Sequence, residues 1–390
     1  MKTMNIAMVG TGFMGKAHAI AYSVMPLLLS APIETKRKVV VDVDDKLAAD
    51  AAKHLGFEEH STDWKATVAR KDIDIVDICT PNDSHAPIAI AAAKAGKHIM
   101  CEKPIARNAA EAETMLKAVK DAGVVHMVAY NYRHTPAVLM AKRLLDDGRL
   151  GEVLSFRGHY MQDWSADPNT PLSWRFSKEK AGSGTLGDIG THIIDMVRFL
   201  LGEFEAVNAV VRTHIHERPV QQSAYDKLGA ADRSGKGPKG KVDVDDAVLT
   251  MIRFSSGVIG SIESSRNAYG RHNYLGFEIQ GTKGTVIFDY QRLNELQVMF
   301  ADDPADVVGF RTIYSGPNQP YGPDLWPVAG LGQGYIEVKS IEWHSFLKAI
   351  ADGNQAAPSF ADGTQIAHIA DAILESGERG NWVAVNRVGS

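Results

Sequence analysis

Short apolar runs and amphipathic segments alternate along the first 130 residues. The apolar runs, which predict buried strands, occupy residues 5–9, 38–41, 73–79, 99–101 and 124–129. The segments between them carry apolar residues at helical spacing, and two of these predicted helices end at Gly96 and Gly123. Regular alternation of strands and helices is typical of a parallel sheet covered by helices, so we predict an α/β fold with a doubly wound sheet.

The pattern changes from Tyr130 onwards, where strand-like runs dominate. They lie at residues 153–160, 207–214, 247–254, 258–264, 274–280 and 285–290. Turns containing Gly, at residues 255–257 and 281–284, predict hairpins. We therefore predict a first domain over residues 1–130 and a second, α+β domain over residues 131–390 with a large, mostly antiparallel, open-faced sheet. Because an open face needs a cover, we expect a homodimer or homotetramer formed through this sheet.

Composition narrows the class of protein. The chain has 390 residues, of which 45% are hydrophobic and 23% charged, and its net charge of −5 gives no reason to expect nucleic acid or an anionic membrane as a partner. We expect neither a membrane span nor a secretory signal, and therefore a cytoplasmic protein. Cys79 and Cys101 are the only cysteines, so we predict no disulfide framework and no metal site. Residues 223–240, rich in Gly, Lys and Asp, predict a solvated loop.

A glycine-rich segment follows the first predicted strand. It reads Gly10-Thr11-Gly12-Phe13-Met14-Gly15 and leads into an amphipathic helix. Glycines in this context allow a tight turn and close backbone approach, and the helix N-terminus faces a pyrophosphate. The motif alone could be an ordinary glycine turn, but its position between a strand and a helix favours a dinucleotide.

An acidic residue, Asp42, follows the second predicted strand. It lies further beyond Gly15 than the usual about 20 residues, and we interpret residues 25–35, with Pro26 and Pro32, as a lengthened connection that explains the difference. An acid here binds the adenosine ribose hydroxyls and repels a 2′-phosphate, which favours NAD over NADP. The alternative, an acid that caps the next helix, suits Asp44 and Asp45 better.

Two further predicted strands end in polar residues. Thr80, Pro81 and Asn82 follow the strand over residues 73–79, and Glu102, Lys103 and Pro104 follow the next strand. Open parallel sheets bind their ligands at this carboxyl edge, and a lysine can donate or accept a proton there. Without their flanks, the same residues would be interpreted as a turn with a helix cap and a surface ion pair.

One helix in the second half combines an acid with a histidine. Asp188 and His192 are four residues apart in the predicted helix, so they share one face. A carboxylate beside an imidazole orients the ring and favours its protonated form, a pairing used in proton relays. The alternative is a helix cap plus a structural histidine. His126 and His159 are isolated and are expected to be structural.

These segments together resemble a known family. Strand–GTGFMG–helix, TPNDSH, CEKP, YNYR and GDIGTHIID occur in this order along the chain. The sequence is similar to the glucose–fructose oxidoreductase, inositol dehydrogenase and rhizopine catabolism family of NAD(P)-dependent sugar oxidoreductases. The resemblance covers nearly the whole chain and implies a Rossmann domain followed by the α+β domain predicted above.

The family resemblance implies a set of site residues. Lys103, Asp188 and His192 would be catalytic, and Tyr132, Gln162 and Trp164 would join them in binding the substrate. Contacts to NAD would come from Gly10, Gly12, Phe13, Met14, Gly15, Asp42, Thr80, Pro81, Asn82, His85, Glu102, Lys103, Asn131, Trp174 and Arg175.

The resemblance also implies a reaction. We expect hydride transfer from a secondary hydroxyl of a small sugar or anhydrosugar to NAD. Three alternatives stay open: a dehydrogenase of inositol or an aldose, a glycosidase that uses NAD without consuming it, and a regulator that senses sugar or nucleotide without catalysis.

Overall fold

The computed structural model describes residues 3–220 and 237–389, which fall into two compact units. The strands are β1 (Thr3–Val9), β2 (Glu34–Val41), β3 (Glu59–Ser61), β4 (Ile75–Ile78), β5 (His98–Cys101), β6 (His126–Val128), β7 (Val153–Met161), β8 (Phe204–Arg212), β9 (Glu217–Pro219), β10 (Lys239–Lys241), β11 (Ala247–Phe254), β12 (Ile259–Ser265), β13 (Tyr274–Gly281), β14 (Gly284–Asp289), β15 (Glu295–Phe300), β16 (Arg311–Tyr314) and β17 (Val383–Ala384). The α-helices are α1 (Phe13–Leu28), α2 (Asp45–Leu55), α3 (Trp64–Val68), α4 (His85–Lys94), α5 (Ala109–Ala122), α6 (Pro136–Asp146), α7 (Lys178–Ala181), α8 (Thr191–Leu201), α9 (Gly322–Leu325), α10 (Tyr335–Asp352) and α11 (Phe360–Arg379).

The two units do not divide the chain at a single point. The first contains Met1–Asn131, Glu179–Gly182 and Tyr335–Ala367, and the second contains the remainder. This differs from the predicted domains 1–130 and 131–390, because helix α10 packs against α1 and so belongs to the first unit despite its late place in the chain.

A six-stranded parallel sheet forms the centre of the first unit. Its order is β3-β2-β1-β4-β5-β6, which confirms the predicted doubly wound sheet. All four residues of β4 are buried, as expected for a central parallel strand. The cap predicted for α5 forms, since the Asn108 side chain accepts a hydrogen bond from the Glu111 N–H at 2.9 Å.

The connection between α1 and β2 is shorter than the sequence predicts. Helix α1 continues through Pro26 to Leu28, and β2 begins at Glu34. Pro26 lies in the last turn, where the missing proline N–H removes only one hydrogen bond, and Leu29 still donates to the Met25 carbonyl at 2.8 Å. The interpretation of residues 25–35 as a long connection is therefore wrong, because most of them extend the helix and the strand.

A nine-stranded sheet forms the centre of the second unit. Its order is β16-β15-β14-β13-β7-β12-β11-β8-β17, and every neighbouring pair is antiparallel except β7 with β12. This confirms the predicted mostly antiparallel sheet, including the hairpins β11–β12 and β13–β14. One sheet face is buried, with Phe156, Phe277 and Phe288 all at most 1% exposed.

The loop predicted over residues 223–240 is described only in part. Residues 223–236 lie outside the described residues. The end of this stretch is not loop, because Lys239–Lys241 forms β10 and pairs antiparallel with β9. Within the described ranges, the helices are all too short or too polar to cross a membrane.

Candidate functional site: a nucleotide-binding unit and a carboxylate–imidazole unit

Close backbone contacts explain two glycines of the loop between β1 and α1. Gly10 has a φ of +102°, and a Cβ at this position would lie 2.6 Å from the Cys79 carbonyl oxygen. A Cβ on Gly15 would lie 2.2 Å from the carbonyl oxygen of Gly10. A side chain at either position would force the loop away from the sheet, so the tight strand–turn–helix geometry requires both glycines.

The N-terminus of α1 offers an open cradle. Gly12 is the cap residue, and among the described residues no side chain caps this helix. A Cβ on Gly12 would meet no described atom within 4 Å. Open N–H donors at the start of a 16-residue helix suit a pyrophosphate. Phe13 is 64% exposed beside this opening, while the Met14 sulfur lies 3.7 Å from the Tyr335 hydroxyl.

Asp42 lies beside the glycine loop, directly after β2. Its Oδ2 accepts a hydrogen bond from the Thr11 N–H at 3.1 Å and another from the Thr11 hydroxyl, and its Oδ1 accepts one from the Asp44 N–H at 3.3 Å. The carboxylate is therefore fixed at the loop, where its negative charge suits ribose hydroxyls and disfavours a 2′-phosphate. Thr11, which orients it, was not singled out from the sequence.

The residues after β4 form a rigid turn. Thr80 is half-buried, and its hydroxyl accepts a hydrogen bond from Ser84 at 2.6 Å, while Pro81 is exposed. Asn82 is buried and donates to the Ala181 carbonyl at 2.9 Å. These contacts leave Thr80 and Pro81 as the accessible part of this edge.

His85 is fully buried beneath the same edge. Its Nδ1 lies 2.9 Å from the Pro104 carbonyl oxygen and its Nε2 lies 2.9 Å from that of Thr80. Burial lowers the pKa of His85, so the neutral ring donates to one of these carbonyls at a time. The ring therefore joins the loops after β4 and β5, and its contact with a cofactor stays a prediction.

Lys103 and Asn131 lie at the same carboxyl edge of the parallel sheet, after β5 and β6. Lys103 is half-buried, and its backbone N–H donates to Glu102 Oε2 at 3.1 Å. Glu102 itself is only 4% exposed. Asn131 is 2% exposed, and its Nδ2 has no hydrogen-bond partner within the part of the chain that the structure describes. Such an unmatched buried donor suits a polar group of a bound cofactor.

In the second unit, Asp188 lies on a π-helical turn. Leu186–Gly190 forms this turn and leads directly into α8, so the helix does not begin with the regular α-helical spacing that the sequence predicts. Single π turns often occur at functional sites. The half-buried Asp188 carboxylate accepts a hydrogen bond from Arg266 Nη1 at 3.3 Å.

Arg266 is the cation that faces Asp188. It is fully buried, and its guanidinium lies 5.1 Å from the Trp164 ring and 5.3 Å from the Phe176 ring. Its Nε and Nη2 find no hydrogen-bond partner in the described ranges. The buried guanidinium therefore places a positive charge beside the Asp188 carboxylate.

His192 lies in the first turn of α8 among tyrosines. Its ring centroid is 4.6 Å from that of Tyr132 and 5.9 Å from that of Tyr160, and the ring is 6% exposed. The Tyr132 ring also packs against Tyr290 at 4.6 Å. These aromatic contacts fix the imidazole plane and exclude most of the water from one side of it.

A hydrogen-bonded polar group adjoins this aromatic cluster. The hydroxyls of Tyr132 and Tyr160 are 2.9 Å apart, and Tyr160 donates to Asn273 Oδ1 at 2.6 Å. Gln162 Nε2 donates to the Tyr160 hydroxyl and to Asn273 Oδ1, both at 3.1 Å. Burial raises the pKa of Tyr160 well above its usual value, so the hydroxyl stays protonated. The structure thus places Tyr132 and Gln162, both predicted substrate contacts, in one network with two residues not singled out from the sequence.

The remaining predicted residues also lie in the second unit. Trp164 packs against Phe176 with ring centroids 5.6 Å apart. Trp174 and Arg175 lie on a single 3₁₀ turn, with the guanidinium 4.4 Å from the indole centroid. Their contact with a cofactor stays a prediction.

Among the site residues, Arg266 and Asn273 carry no signal in the sequence, and Tyr160 carries only the alternation of its strand. Arg266, Tyr160 and Asn273 come from strand ends and a turn that are distant in sequence from Asp188 and Tyr132. The alternation of β7 could have placed Tyr160 on its buried face, but nothing local marks Arg266 or Asn273. Their roles follow only from the way β7, β12 and β13 pair.

Comparison with known proteins agrees with this architecture. Residues 4–130 match the oxidoreductase family with an NAD-binding Rossmann fold, and residues 138–287 match the GFO/IDH/MocA C-terminal domain. The chain is 57% identical over 389 residues to levoglucosan dehydrogenase of Pseudarthrobacter phenanthrenivorans, covering 100% of both proteins. The chain belongs to the GFO/IDH/MocA family. It is an oxidoreductase with an NAD-binding Rossmann domain.

Other members of the GFO/IDH/MocA family extend the comparison. The chain is 31% identical over 376 residues to inositol 2-dehydrogenase of Rhizobium meliloti, covering 96% of this chain and 97% of that protein. A solved structure of levoglucosan dehydrogenase in complex with NADH and levoglucosan is 55% identical, with a TM-score of 0.94, covering 99% of this chain and 100% of that one. The sequence motifs and the three-dimensional comparison therefore agree on the family.

Proposed function

We propose that this GFO/IDH/MocA protein is an NAD-dependent dehydrogenase that oxidises a secondary hydroxyl of levoglucosan, giving 3-keto-levoglucosan. The observation that carries the proposal is the 57% identity to levoglucosan dehydrogenase over the full length of both chains. The segments 160–168, 173–176 and 187–196 also resemble levoglucosan dehydrogenase. Because the reaction draws on the NAD pool of the cell, we place it in the cytoplasm.

The proposed catalytic residues are Lys103, Asp188 and His192. His192 takes up the hydroxyl proton, directly or through Lys103, while Lys103 holds the hydroxyl oxygen and stabilises its developing charge. Asp188, which accepts a hydrogen bond from Arg266, binds the sugar and orients the imidazole. Bound NAD supplies the hydride acceptor, so each sugar oxidised yields one carbonyl product, one NADH and one proton.

Three side chains of the second unit suit a small polyol. Tyr132 and Trp164 offer aromatic faces, and Gln162 offers an amide that already belongs to a hydrogen-bonded network. A largely aromatic wall with a few directed polar groups is the usual composition of a small-molecule site. We propose these three side chains as the sugar contacts.

The test is NADH formation with a panel of sugars. Purified protein is mixed with NAD and, separately, levoglucosan, glucose, myo-inositol, xylose or 1,5-anhydroglucitol, and NADH absorbance is followed at neutral to alkaline pH. We expect a clear preference for levoglucosan, with a stoichiometric gain of NADH. The resemblance to inositol 2-dehydrogenase makes myo-inositol the second candidate, and activity on it alone would keep the reaction and replace the substrate. Sugar turnover without net NADH would favour the glycosidase alternative, and no turnover of any sugar would favour the regulator.

Replacing Lys103 tests the assignment of the catalytic residues. We expect Lys103→Met to lower kcat by about 10³-fold, because a positioned proton donor typically contributes 10²–10⁴-fold. NADH affinity, measured by fluorescence titration, should fall by much less than kcat, because Lys103 is only one of many predicted NAD contacts. Lys117, an exposed lysine on α5, supplies the control variant Lys117→Met, for which kcat should be unchanged. Near-normal turnover of Lys103→Met with NADH still bound would falsify the assignment.

We also propose that the protein is a homo-oligomer formed through the sheet of the second unit. Val210, Leu249, Met251 and Ile259 lie on one face of β8, β11 and β12 and are each at least 50% exposed. A second copy of the chain would bury these apolar side chains.

A further inference from the structure

The first unit contains a group of five buried charged side chains, none of which is among the proposed catalytic residues. They are His18 on α1, Asp77 on β4, Glu102 after β5, and Lys339 and Glu342 on α10, and none is more than 4% exposed. We refer to these five residues as the buried charge network. Burying this many ionisable groups costs free energy unless each one is paired. Each of the five side chains therefore needs a partner close by.

Lys339 is the central cation of the network. Its Nζ lies 3.0 Å from Glu342 Oε2, 3.2 Å from Glu102 Oε1 and 3.0 Å from His18 Nε2. Burial alone would favour the neutral amine, but the carboxylates of Glu342 and Glu102 raise the pKa of Lys339 well above its usual value. The ammonium is therefore charged, and it joins α10 to the end of β5.

His18 connects the same cation to Asp77. Its Nδ1 lies 3.0 Å from both Asp77 oxygens, and its Nε2 lies 3.0 Å from Glu102 Oε1. Burial disfavours the imidazolium, but the Asp77 carboxylate outweighs this and raises the pKa of His18 to about 9. Although ligand-type atoms of His18, Asp77 and Cys79 lie within 4.8 Å of one another, a charged imidazole beside a lysine disfavours a metal cation there.

Glu102 divides its two oxygens between the network and the proposed catalytic lysine. Oε1 accepts from His18 and lies next to Lys339, whereas Oε2 accepts a hydrogen bond from the backbone N–H of Lys103 at 3.1 Å. Burial would raise the pKa of Glu102, but Lys339 and His18 hold it well below its usual value. Glu102 is thus a fixed carboxylate with one oxygen free to hold the Lys103 main chain.

We propose that Lys339 is a positioning residue for catalysis: it holds Glu102 Oε1 so that Glu102 Oε2 fixes the backbone of Lys103. Lys339 acts through Glu102 and does not touch the reacting atoms. The inference rests on the proposed function only for its effect on turnover, since the contact between Glu102 and Lys103 is a property of the protein alone.

A second contact of α10 supports the same role. Tyr335, one turn before Lys339, brings its hydroxyl to 3.7 Å from the sulfur of Met14 in the glycine loop. Helix α10 therefore contacts the predicted pyrophosphate loop through Tyr335 and the loop after β5 through Lys339. A single helix that fixes both segments would keep the proposed cofactor contacts and Lys103 in register.

The variants separate positioning from simple loss of a buried charge. Lys339→Met removes the ammonium but leaves the Glu342 carboxyl group buried beside an uncharged methionine side chain. The double variant Lys339→Met/Glu342→Gln removes both members of that ion pair, which limits the loss of stability. Lys97→Met is the matched control, because Lys97 is also buried in the first unit. Among the described residues it donates to the Arg70 and Ile73 carbonyls alone, at 2.7 and 2.8 Å and at the opposite end of β5.

Two measurements test the proposal. Hydrogen exchange with fragmentation mass spectrometry reports the Lys103 amide, which should be protected in the wild type and should exchange at least about tenfold faster in the double variant. Steady-state kinetics of the double variant, with the sugar that the wild type oxidises as substrate, should give a kcat lowered by about 100-fold and a KM changed by less than about threefold. Lys97→Met should leave both quantities at the wild-type level even if it lowers the Tm, and Lys339→Arg should restore part of kcat.

The outcomes that overturn the proposal are distinct from those that overturn the function. A Lys103 amide that exchanges without protection in the wild type, or that is equally protected in the wild type and the double variant, rules the positioning role out. A kcat lowered equally in Lys97→Met assigns the effect to general stability. If the wild-type protein oxidises none of the sugars, the proposed function fails, and the exchange measurement still decides whether Lys339 positions Lys103.

Discussion

At the scale of single residues, His18 shows how burial and pairing set a pH dependence. Its pKa is raised to about 9 by Asp77 despite burial, whereas burial lowers that of His126, in the same unit, to about 4. An unfolded histidine titrates near 6.5. His18 therefore stabilises the fold fully below pH 6.5, and this contribution is lost as the pH rises through 9. His126 has the opposite sign and lowers stability as the pH falls below 6.5.

We expect the free energy of unfolding of the first unit to be greatest near pH 6.5 and to fall by about 3 kcal/mol by pH 9.5, since each pKa unit corresponds to about 1.4 kcal/mol. Urea denaturation at several pH values measures this change. His18→Gln should flatten the dependence between pH 6.5 and 9.5. The exposed His54 on α2 gives the control variant His54→Gln, in which the dependence should persist. A wild-type stability that is constant over this range would contradict the charged state of His18.

Residues of the site divide into those that local sequence marks and those that only the fold brings together. Gly10, Asp42 and Lys103 each follow a predicted strand, so their place at the carboxyl edge of the sheet could be predicted. Arg266 and Lys339 could not, because their partners Asp188 and Glu102 are 78 and 237 residues away in the sequence. A buried cation leaves no periodic signal, since its position within an amphipathic segment resembles that of any long side chain.

At the scale of elements, two glycines of the loop between β1 and α1 are expected to affect stability and NADH affinity differently. Gly15→Ala places a methyl group against the Gly10 carbonyl, with 2.2 Å available. Gly12→Ala meets no described atom within 4 Å, but it fills the open cradle at the start of α1. We therefore expect Gly15→Ala to lower both the Tm and NADH affinity. Gly12→Ala should lower NADH affinity by at least about tenfold and leave the Tm of the free protein within about 2 °C, because an alanine at this exposed position strains nothing.

Thermal melting and NADH fluorescence titration measure the two effects of these glycine variants. Gly123→Ala, at the C-terminus of α5 where φ is +63°, serves as a control that strains a glycine away from the loop. It should lower the Tm without a direct effect on NADH affinity. Equal NADH affinity in Gly12→Ala and the wild type would argue against a pyrophosphate at this helix terminus.

Elements with local signals were predicted well, and those that depend on distant packing were not. The hairpins β11–β12 and β13–β14 follow from their turns, and α5 from its cap and terminal glycine. Residues 25–35 are predicted as a connection, yet helix α1 continues through Pro26 and ends at Leu28. The π turn at Leu186–Gly190 adds one residue to a helical turn and has no sequence signature, so the sequence predicts a regular α-helical turn in its place.

At the scale of the whole molecule, each unit has an apolar or charged surface that another element has to cover. Helix α10 joins the first unit although it comes late in the chain, because its buried Lys339 finds partners on α1 and after β5. No comparable covering element was predicted for the outer face of the nine-stranded sheet. There, Val210 pairs opposite Leu249 on neighbouring strands, and the two are 50% and 54% exposed.

We expect this face to bury itself against a second copy of the chain, because burying an aliphatic side chain contributes about 1.5–3 kcal/mol. Light scattering coupled to size-exclusion chromatography should give a dimer or tetramer for the wild type. Leu249→Glu places a charge at the centre of the apolar group and should shift the mass towards the monomer. Leu27→Glu, at an 85% exposed position on α1 of the first unit, should keep the wild-type mass. Two results would contradict this expectation: a monomeric wild type, or a mass that Leu27→Glu reduces and Leu249→Glu leaves unchanged. Either result would place the sheet face outside any subunit interface, and another partner would then have to explain its apolar residues.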